Sequence, residues 1–263
     1  MIPFSSRPSW RLEIYDELPS TSDLVRTRAE AGEPAGLAVL ARRQTQGRGS
    51  RGRAWSTPAG NLAISILLRP NLAIRDASCM SLLTSLALAE AVAAILPPGP
   101  SLALKWPNDL MLNGQKLAGI LLDSHGDGQG RVGWLIPGIG VNLAYAPELP
   151  DRIAACLADH MPAPAPEDFA PRLLDRLAHW SDIHAASGFA PVRAAWLTHA
   201  QPPGSPMSLK LGSELLSGTF AGLDDDGSLL MAHDGAVRRY STGEVLEDWA
   251  PPRPAKGPSP LDP

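Results

Sequence analysis

Residues 102–123 read LALKWPNDLMLNGQKLAGILLD. Strand-forming runs occupy 102–106 and 116–123. Asn113-Gly114 between them is the dipeptide that best fits a two-residue hairpin turn, because both residues tolerate positive φ. The stretch therefore predicts an antiparallel pair. Turn-rich residues 125–130 lead to a third strand at 131–136. Upstream, 36–43 (GLAVLARR) and 61–69 (NLAISILLR, ended by Pro70) read as two more. Ser20-Thr21-Ser22-Asp23 supplies capping hydroxyls and an acid in the first turn of a helix that runs to about Ala31 and stops at Gly32. Ser78 caps a long apolar helix through Leu96, stopped by Pro97-Pro98, and helical periodicity returns over 166–200. Helices interspersed with hairpin-linked strands indicate an α+β domain, not a βαβ repeat.

Residues 201–206 (QPPGSP) have linker composition. Beyond them, short strands at 207–211, 214–223, 228–232 and 236–241 alternate with turns at Gly212-Ser213, Asp225-Asp226-Gly227 and Asp234-Gly235. That spacing predicts a small antiparallel barrel of the SH3-like kind. The chain thus divides into 1–203, 204–250 and a proline-rich tail, 251–263, expected to be disordered. The acidic run 224–226 reads as a solvated hairpin tip rather than a metal site.

Hydrophobic residues make up 44 % of 263, enough for a sizeable core, and the formal charge of -4 disfavours a dedicated nucleic-acid binder. Cys79 and Cys156 lack metal or redox spacing and sit in apolar surroundings, so both are expected as plain buried thiols. The N-terminal eighteen residues are too charged for a signal peptide, and the longest apolar stretch, 82–96, contains Glu90 and is too short to span a bilayer. A cytoplasmic location is expected. Lysine occurs only at 105, 116, 210 and 256, every other cation being arginine.

Two of those lysines fall within the opening stretch, on either side of Pro107-Asn108-Asp109. Pro107 removes a donor after the strand and presents Asn108 and Asp109 at the mouth of a sheet, while Lys116 returns on the partner strand. Two ammoniums, an amide and a carboxylate so close together suit a site for ATP–Mg²⁺ and a carboxylate. A second segment, 44–55 (QTQGRGSRGRAW), has glycines at 47, 49 and 52. It matches the GxGxxG pattern only formally, because Ser56-Thr57-Pro58 follows where a dinucleotide fingerprint must open a helix. It offers instead a flexible loop whose arginines carry forked donors for phosphate oxygens. A third segment, 137–143 (PGIGVNL), places paired glycines where a ligand can approach the backbone, with Asn142 beside them.

Together and in this order, the GRG-x-RGR-x-W loop, KWPNDL with its following KLAGI, and GIGVN resemble the biotin protein ligase family over roughly residues 10 to 248. The resemblance implies a mixed central sheet flanked by helices, akin to lipoate ligases and class II tRNA synthetases. It implies biotin and ATP with Mg²⁺ as reactants, and a biotin carboxyl carrier protein as acceptor. Ser20, Thr21, Ser22 and Gln44 would line the ureido pocket. Gly47, Arg48, Gly49 and Ser50 would close over the carboxylate and phosphate, and Gly119 and Gly138 would let the biotin body lie against the backbone. Lys116 would contact the reacting carboxylate. Arg51, Arg53, Trp55, Lys105, Asn108 and Asn142 would serve the nucleotide, and Asp109 would help hold magnesium. Ser50 stands where the family often has Arg, and Ser22 where Asn is frequent.

Activation makes AMP the leaving group of a mixed anhydride, so cations are required where phosphate and carboxylate charge accumulates. Arg48 and Lys116 are the candidates. No Ser/His or Cys/His nucleophile is needed, and none stands out among six scattered histidines. A lipoate or other acyl ligase of the same fold, and an inactive biotin-binding regulator, are the alternatives. A repressor form is disfavoured because the resemblance begins within about twenty residues of Met1, and homodimerisation is left open.

Overall fold

The computed structural model describes residues 10–147 and 154–246. Its larger sheet contains β1 (Arg11–Leu18), β2 (Leu37–Gln44), β3 (Leu62–Ile66), β4 (Leu102–Lys105), β5 (Asp109–Leu112), β6 (Gln115–Gly126) and β7 (Val132–Val141). Their spatial order is β1-β2-β3-β7-β6-β5-β4. Only β1 and β2 run parallel, joined by helix α1 (Thr21–Glu30). β1 escaped the sequence reading because its alternating charges resemble a polar segment.

Alternation along the strands gives the sheet two apolar faces. Val25 and Ala29 of α1 pack on Leu37, Val39, Leu67, Trp134 and Ile136. The opposite residues, including Leu40, Ile64, Ile66 and Ile139, meet α2 (Cys79–Ala93) and α3 (Pro166–Ser187). α2 is buried nearly all round, as a helix without a polar face must be. Its predicted Ser78 cap is absent, because that side chain makes no capping bond. Ser20 does cap α1, its hydroxyl accepting from the Asp23 amide.

Three further expectations change. The helical stretch expected at 166–200 is two helices, divided at Gly188, whose φ of 73° ends α3 before α4 (Phe189–Thr198) begins. The strand expected at 131–136 extends through Pro137 to Val141, so the PGIG glycines lie within β7, not at its end. The WPND segment is itself a turn, between β4 and β5, with a cis bond at Trp106-Pro107. Asn113-Gly114 therefore joins β5 to β6, and Lys116 pairs with Met111 of β5. Beyond β4, the Leu104 amide donates to the His199 carbonyl at 2.8 Å, so the chain after α4 occupies that edge.

β8 (Pro206–Leu211), β9 (Glu214–Leu223), β10 (Leu229–His233), β11 (Ala236–Tyr240) and a short β12 (Glu244–Val245) form a second antiparallel sheet in the order β11-β10-β9-β8-β12. Four of its strands match the sequence reading, and β12 is additional. Among the described residues β11 and β12 do not pair, so the expected closed barrel is an open sheet. Its inner residues, Met207, Phe220, Leu229 and Met231, join the same core as Leu82, Trp106 and Trp196. The Trp106 indole N–H donates to the Gly227 carbonyl at 3.0 Å. Asp224 and Asp226 pair with Arg239, and Asp225 with Arg193, at the acidic turn. Both cysteines are buried free thiols, and burial pushes Cys79 up to about 12. No helix among the described residues is long and apolar enough to cross a membrane, and the tail 251–263 lies outside them.

A shared core predicts a single cooperative unfolding transition for both sheets. Phe220→Ala should destabilise the protein by about 3–5 kcal/mol, lowering the chemical-denaturation midpoint reported by far-ultraviolet dichroism without splitting the curve.

Candidate active site

On the α1 side of the larger sheet, Gly138 and Gly140 of β7 alternate with the core residue Ile139, and Gly119 of β6 pairs with Gly140. Three adjoining positions on one face thus carry no side chain, which leaves a trough beside the N-terminus of α1. The indole of Trp55 lies in it: a Cβ on Gly140 would overlap the ring, and one on Gly119 would sit 3.5 Å from Cζ3. The cavity there, about 510 Å³ of empty space open to solvent, is lined by Ser20, Thr21, Ser22, Gln44, Arg48, Gly49, Ser50, Trp55, Asn108, Lys116, Gly119 and Gly138. Ala63, Ile120, Leu121, Ile139 and Gly140 complete the lining.

One end is neutral and hydrogen-bonded. The Gln44 carbonyl oxygen accepts from the Thr21 amide at 2.8 Å and from its hydroxyl at 3.1 Å, while the Gln44 amide group donates to Thr57 at 3.3 Å. Ser65 lies behind this cluster, fully buried and within hydrogen-bond distance of Thr21 and Ser22.

The other end is cationic. Lys116 Nζ stands 2.5 Å from Asp109 Oδ1 and 5.7 Å from the centre of a Trp55 ring. Lys105 approaches the second Asp109 oxygen at 3.9 Å, so its link to the site runs through that carboxylate. The Asn108 side-chain amide donates to the Ile120 carbonyl at 2.6 Å and holds the WPND turn against β6. Arg48 reaches from the loop to Asp23 on α1 at 2.5 Å. Arg48 and Lys116 therefore border one cavity.

Several residues named from the sequence lie off the lining. Gly47 sits behind Gln44, and a Cβ there would be 3.0 Å from the Gln44 amide nitrogen. Arg51 and Arg53 turn to Glu244 of β12, Arg53 at 2.6 Å. Arg51 also adopts the left-handed region, φ 59°, at a cost on the order of 1–3 kcal/mol. Asn142 is buried, its amide donating to the Ala155 carbonyl at 3.0 Å while its oxygen finds no partner among the described residues. That orphaned acceptor suits an amino group.

The sequence reading passed over Ser65, Asn61 and Glu244. Ser65 and Asn61 were legible as isolated polar residues in the apolar run 61–69. Asn61 accepts from the Ala144 and Tyr145 amides at 3.0 Å each, fixing the chain just after Asn142. Glu244 gave no signal, since its role depends on how the two sheets pack.

A cleft with neutral donors and acceptors at one end, cations at the other and an apolar ring between defines a site for a carboxylic acid with a polar head. Residues 16–142 match the model of the biotin/lipoate A/B protein ligase family. The chain is 42% identical over 216 residues to the biotin--[acetyl-CoA-carboxylase] ligase of Paracoccus denitrificans, covering 79% of this chain and 89% of that one. It is 31% identical over 249 residues to the enzyme of the same name from Mycobacterium tuberculosis, covering 90% and 89%. Its structure is similar to the biotin protein ligase from Aquifex aeolicus in complex with biotin and ATP, with a TM-score of 0.74, 26% identity, and coverage of 90% and 97%. The chain belongs to the biotin/lipoate A/B protein ligase family.

Because Glu244 neutralises two loop guanidiniums, Glu244→Ala should loosen residues 48–53. Limited trypsin digestion should then cut after Arg51 or Arg53 several-fold faster than in the wild type.

Proposed function

We propose that this chain is an ATP-dependent biotin protein ligase, which forms biotinyl-5'-AMP and transfers the biotinyl group to a lysine of a biotin carboxyl carrier protein. The observation that carries the reading is the single cavity shared by Arg48, Lys116 and the Thr21–Gln44 cluster. The similarity to proteins named biotin--[acetyl-CoA-carboxylase] ligase favours biotin over lipoate and an active enzyme over an inert binder.

In the first step a biotin carboxylate oxygen attacks the α-phosphorus of ATP. An O–P bond forms, the bond to the β-phosphate bridging oxygen breaks, and diphosphate leaves. Lys116 holds the carboxylate and the phosphate together and offsets their repulsion, and Arg48 adds charge from the loop when phosphate displaces Asp23. Preorganised donors of this kind are typically worth about 3–4 kcal/mol in the transition state. Asn142, assigned to the nucleotide by the family resemblance, keeps its side-chain acceptor buried outside the cavity lining. Ser20, Thr21, Ser22 and Gln44 take the ureido head, and the biotin body lies over Gly119 and Gly138 beside Trp55.

Magnesium would come as the counter-ion of the nucleotide. Asp109, the carboxylate expected to hold it, has its two oxygens turned to Lys116 and Lys105 and does not fit a divalent cation in this arrangement; no group of three or more metal-ligating side chains exists among the described residues, so nucleotide oxygens would hold the ion. Bound there, magnesium would neutralise phosphate charge. In the second step the acceptor amine attacks the acyl carbon, the bond to the AMP oxygen breaks, and AMP leaves while the amine's proton passes to water. Asp109, already engaged by Lys116, is better suited to fixing that lysine than to accepting the amine's proton.

The division at 203/204 remains our proposal for the domain boundary, with the C-terminal sheet read as an SH3-like module despite its open strand order. A cytoplasmic location follows from the need for ATP and an unmodified carboxylase.

The direct test is biotin-dependent exchange between ATP and labelled diphosphate; its absence from the purified wild type refutes the reading. Lys116→Ala should lower the exchange rate by at least a hundredfold while retaining the native dichroism spectrum. Arg48→Ala should release the adenylate before transfer, seen as labelling of bystander lysines when the acceptor is withheld.

A further inference from the structure

We infer that Ser65 is a positioning residue that fixes the direction of the Thr21 and Ser22 hydroxyl protons at the neutral end of the cavity, making that end selective for a ligand with N–H donors. The inference rests on the biotin reading above. It begins with the one proton in the cluster whose position is certain. The Thr21 backbone amide can only donate, so the Gln44 atom it meets at 2.8 Å is the carbonyl oxygen. The Thr21 hydroxyl lies 3.1 Å from that same oxygen, which has no proton to give, so this hydroxyl must donate as well. Its single proton is then spent.

Thr21 Oγ1 also lies 2.7 Å from Ser65 Oγ, a contact that needs a proton from Ser65. With Ser65 spent, its 2.9 Å contact with Ser22 Oγ needs the proton of Ser22. The relay runs one way, Ser22 to Ser65 to Thr21 to Gln44. It leaves Ser22, which lines the cavity, with lone pairs and no free proton. Gln44 retains an amide proton beyond the one given to Thr57. The end of the cavity thus offers an acceptor at Ser22 and a donor at Gln44, the complement of a cyclic urea with its N–H groups flanking a carbonyl. A dithiolane ring has no N–H to meet Ser22.

Ser65 can set this direction because it is fully buried and has no access to water, which would otherwise allow either orientation. β3 pairs it with Gly138 of β7, and a Cβ on Gly138 would sit 2.6 Å from Ser22 Oγ. Glycine at 138 is therefore what allows Ser22 to reach Ser65.

A double-mutant cycle on the full chain, read as the biotin Kd by calorimetry, tests the relay. Ser65→Ala and Ser22→Ala should each weaken biotin about tenfold, a loss typical of one buried hydrogen bond. The double variant should also lose about tenfold, with the KM for ATP at saturating biotin unchanged in all three. Losses that multiply to about a hundredfold, or a KM for ATP that rises in step, overturn the inference, because a merely structural Ser65 would produce them. Ser65→Cys keeps the volume with a weak donor, and it carries the cycle if Ser65→Ala does not fold. A wild type that does not bind biotin overturns the biotin reading and this inference together. Multiplying losses with normal wild-type binding overturn the relay alone.

Discussion

The site exists because Gly119, Gly138 and Gly140 leave three neighbouring places on one face of the sheet without side chains. α1 covers that face over β2, β3 and β7, and a sheet between two helical layers would ordinarily fill the remainder with apolar residues. Here the backbone itself becomes the floor. Trp55 can then lie flat in the middle, and the polar groups of α1 and the Lys116 ammonium of β6 are separated by a hydrophobic spacer. A methyl at Gly140 would evict the indole, and one at Gly138 would press on Ser22, so the chemistry at both ends depends on the same absence of bulk.

The loop that covers this floor belongs to neither sheet alone. Arg48 is held by Asp23 of the larger unit and Arg51 and Arg53 by Glu244 of the smaller, all partly exposed pairs worth roughly 0–1 kcal/mol each. Bonds of that strength keep a loop in place without preventing phosphate from taking over its guanidiniums. Trp106 adds a second tie, since the turn carrying Asn108 and Asp109 leans on the Gly227 carbonyl. The C-terminal sheet is therefore part of the active-site scaffold.

Much of this was legible in the sequence where a short-range rule applied. Ser20 before a helix, Asn113-Gly114 before a strand and the strands after residue 206 are local signals, and the structure carries them. The failures are of another kind. β1 is stabilised by pairing with β2, so its own charged sequence gives little indication of a strand. β5, which lies between the two strands expected at 102–106 and 116–123, gives no signal because four residues are too few for a period. Gly188 breaks a helix whose apolar pattern continues through it. Within the site, Lys116, Arg48 and Gln44 were visible as polar types in unusual company. Glu244 was not, because it lies 191 residues from Arg53 and meets it only once both sheets have packed.

The contact between Leu104 and His199 has a bearing on how the protein behaves at high concentration. An open sheet has two rims, and each can recruit a strand from another molecule. Here one rim is occupied by the chain leaving α4, and the other, β1, carries Arg11, Glu13, Asp16 and Glu17, whose charges discourage stacking. Both features oppose edge-to-edge growth of a sheet with seven strands in a row, and the first depends on the helix after Gly188 delivering His199 to Leu104.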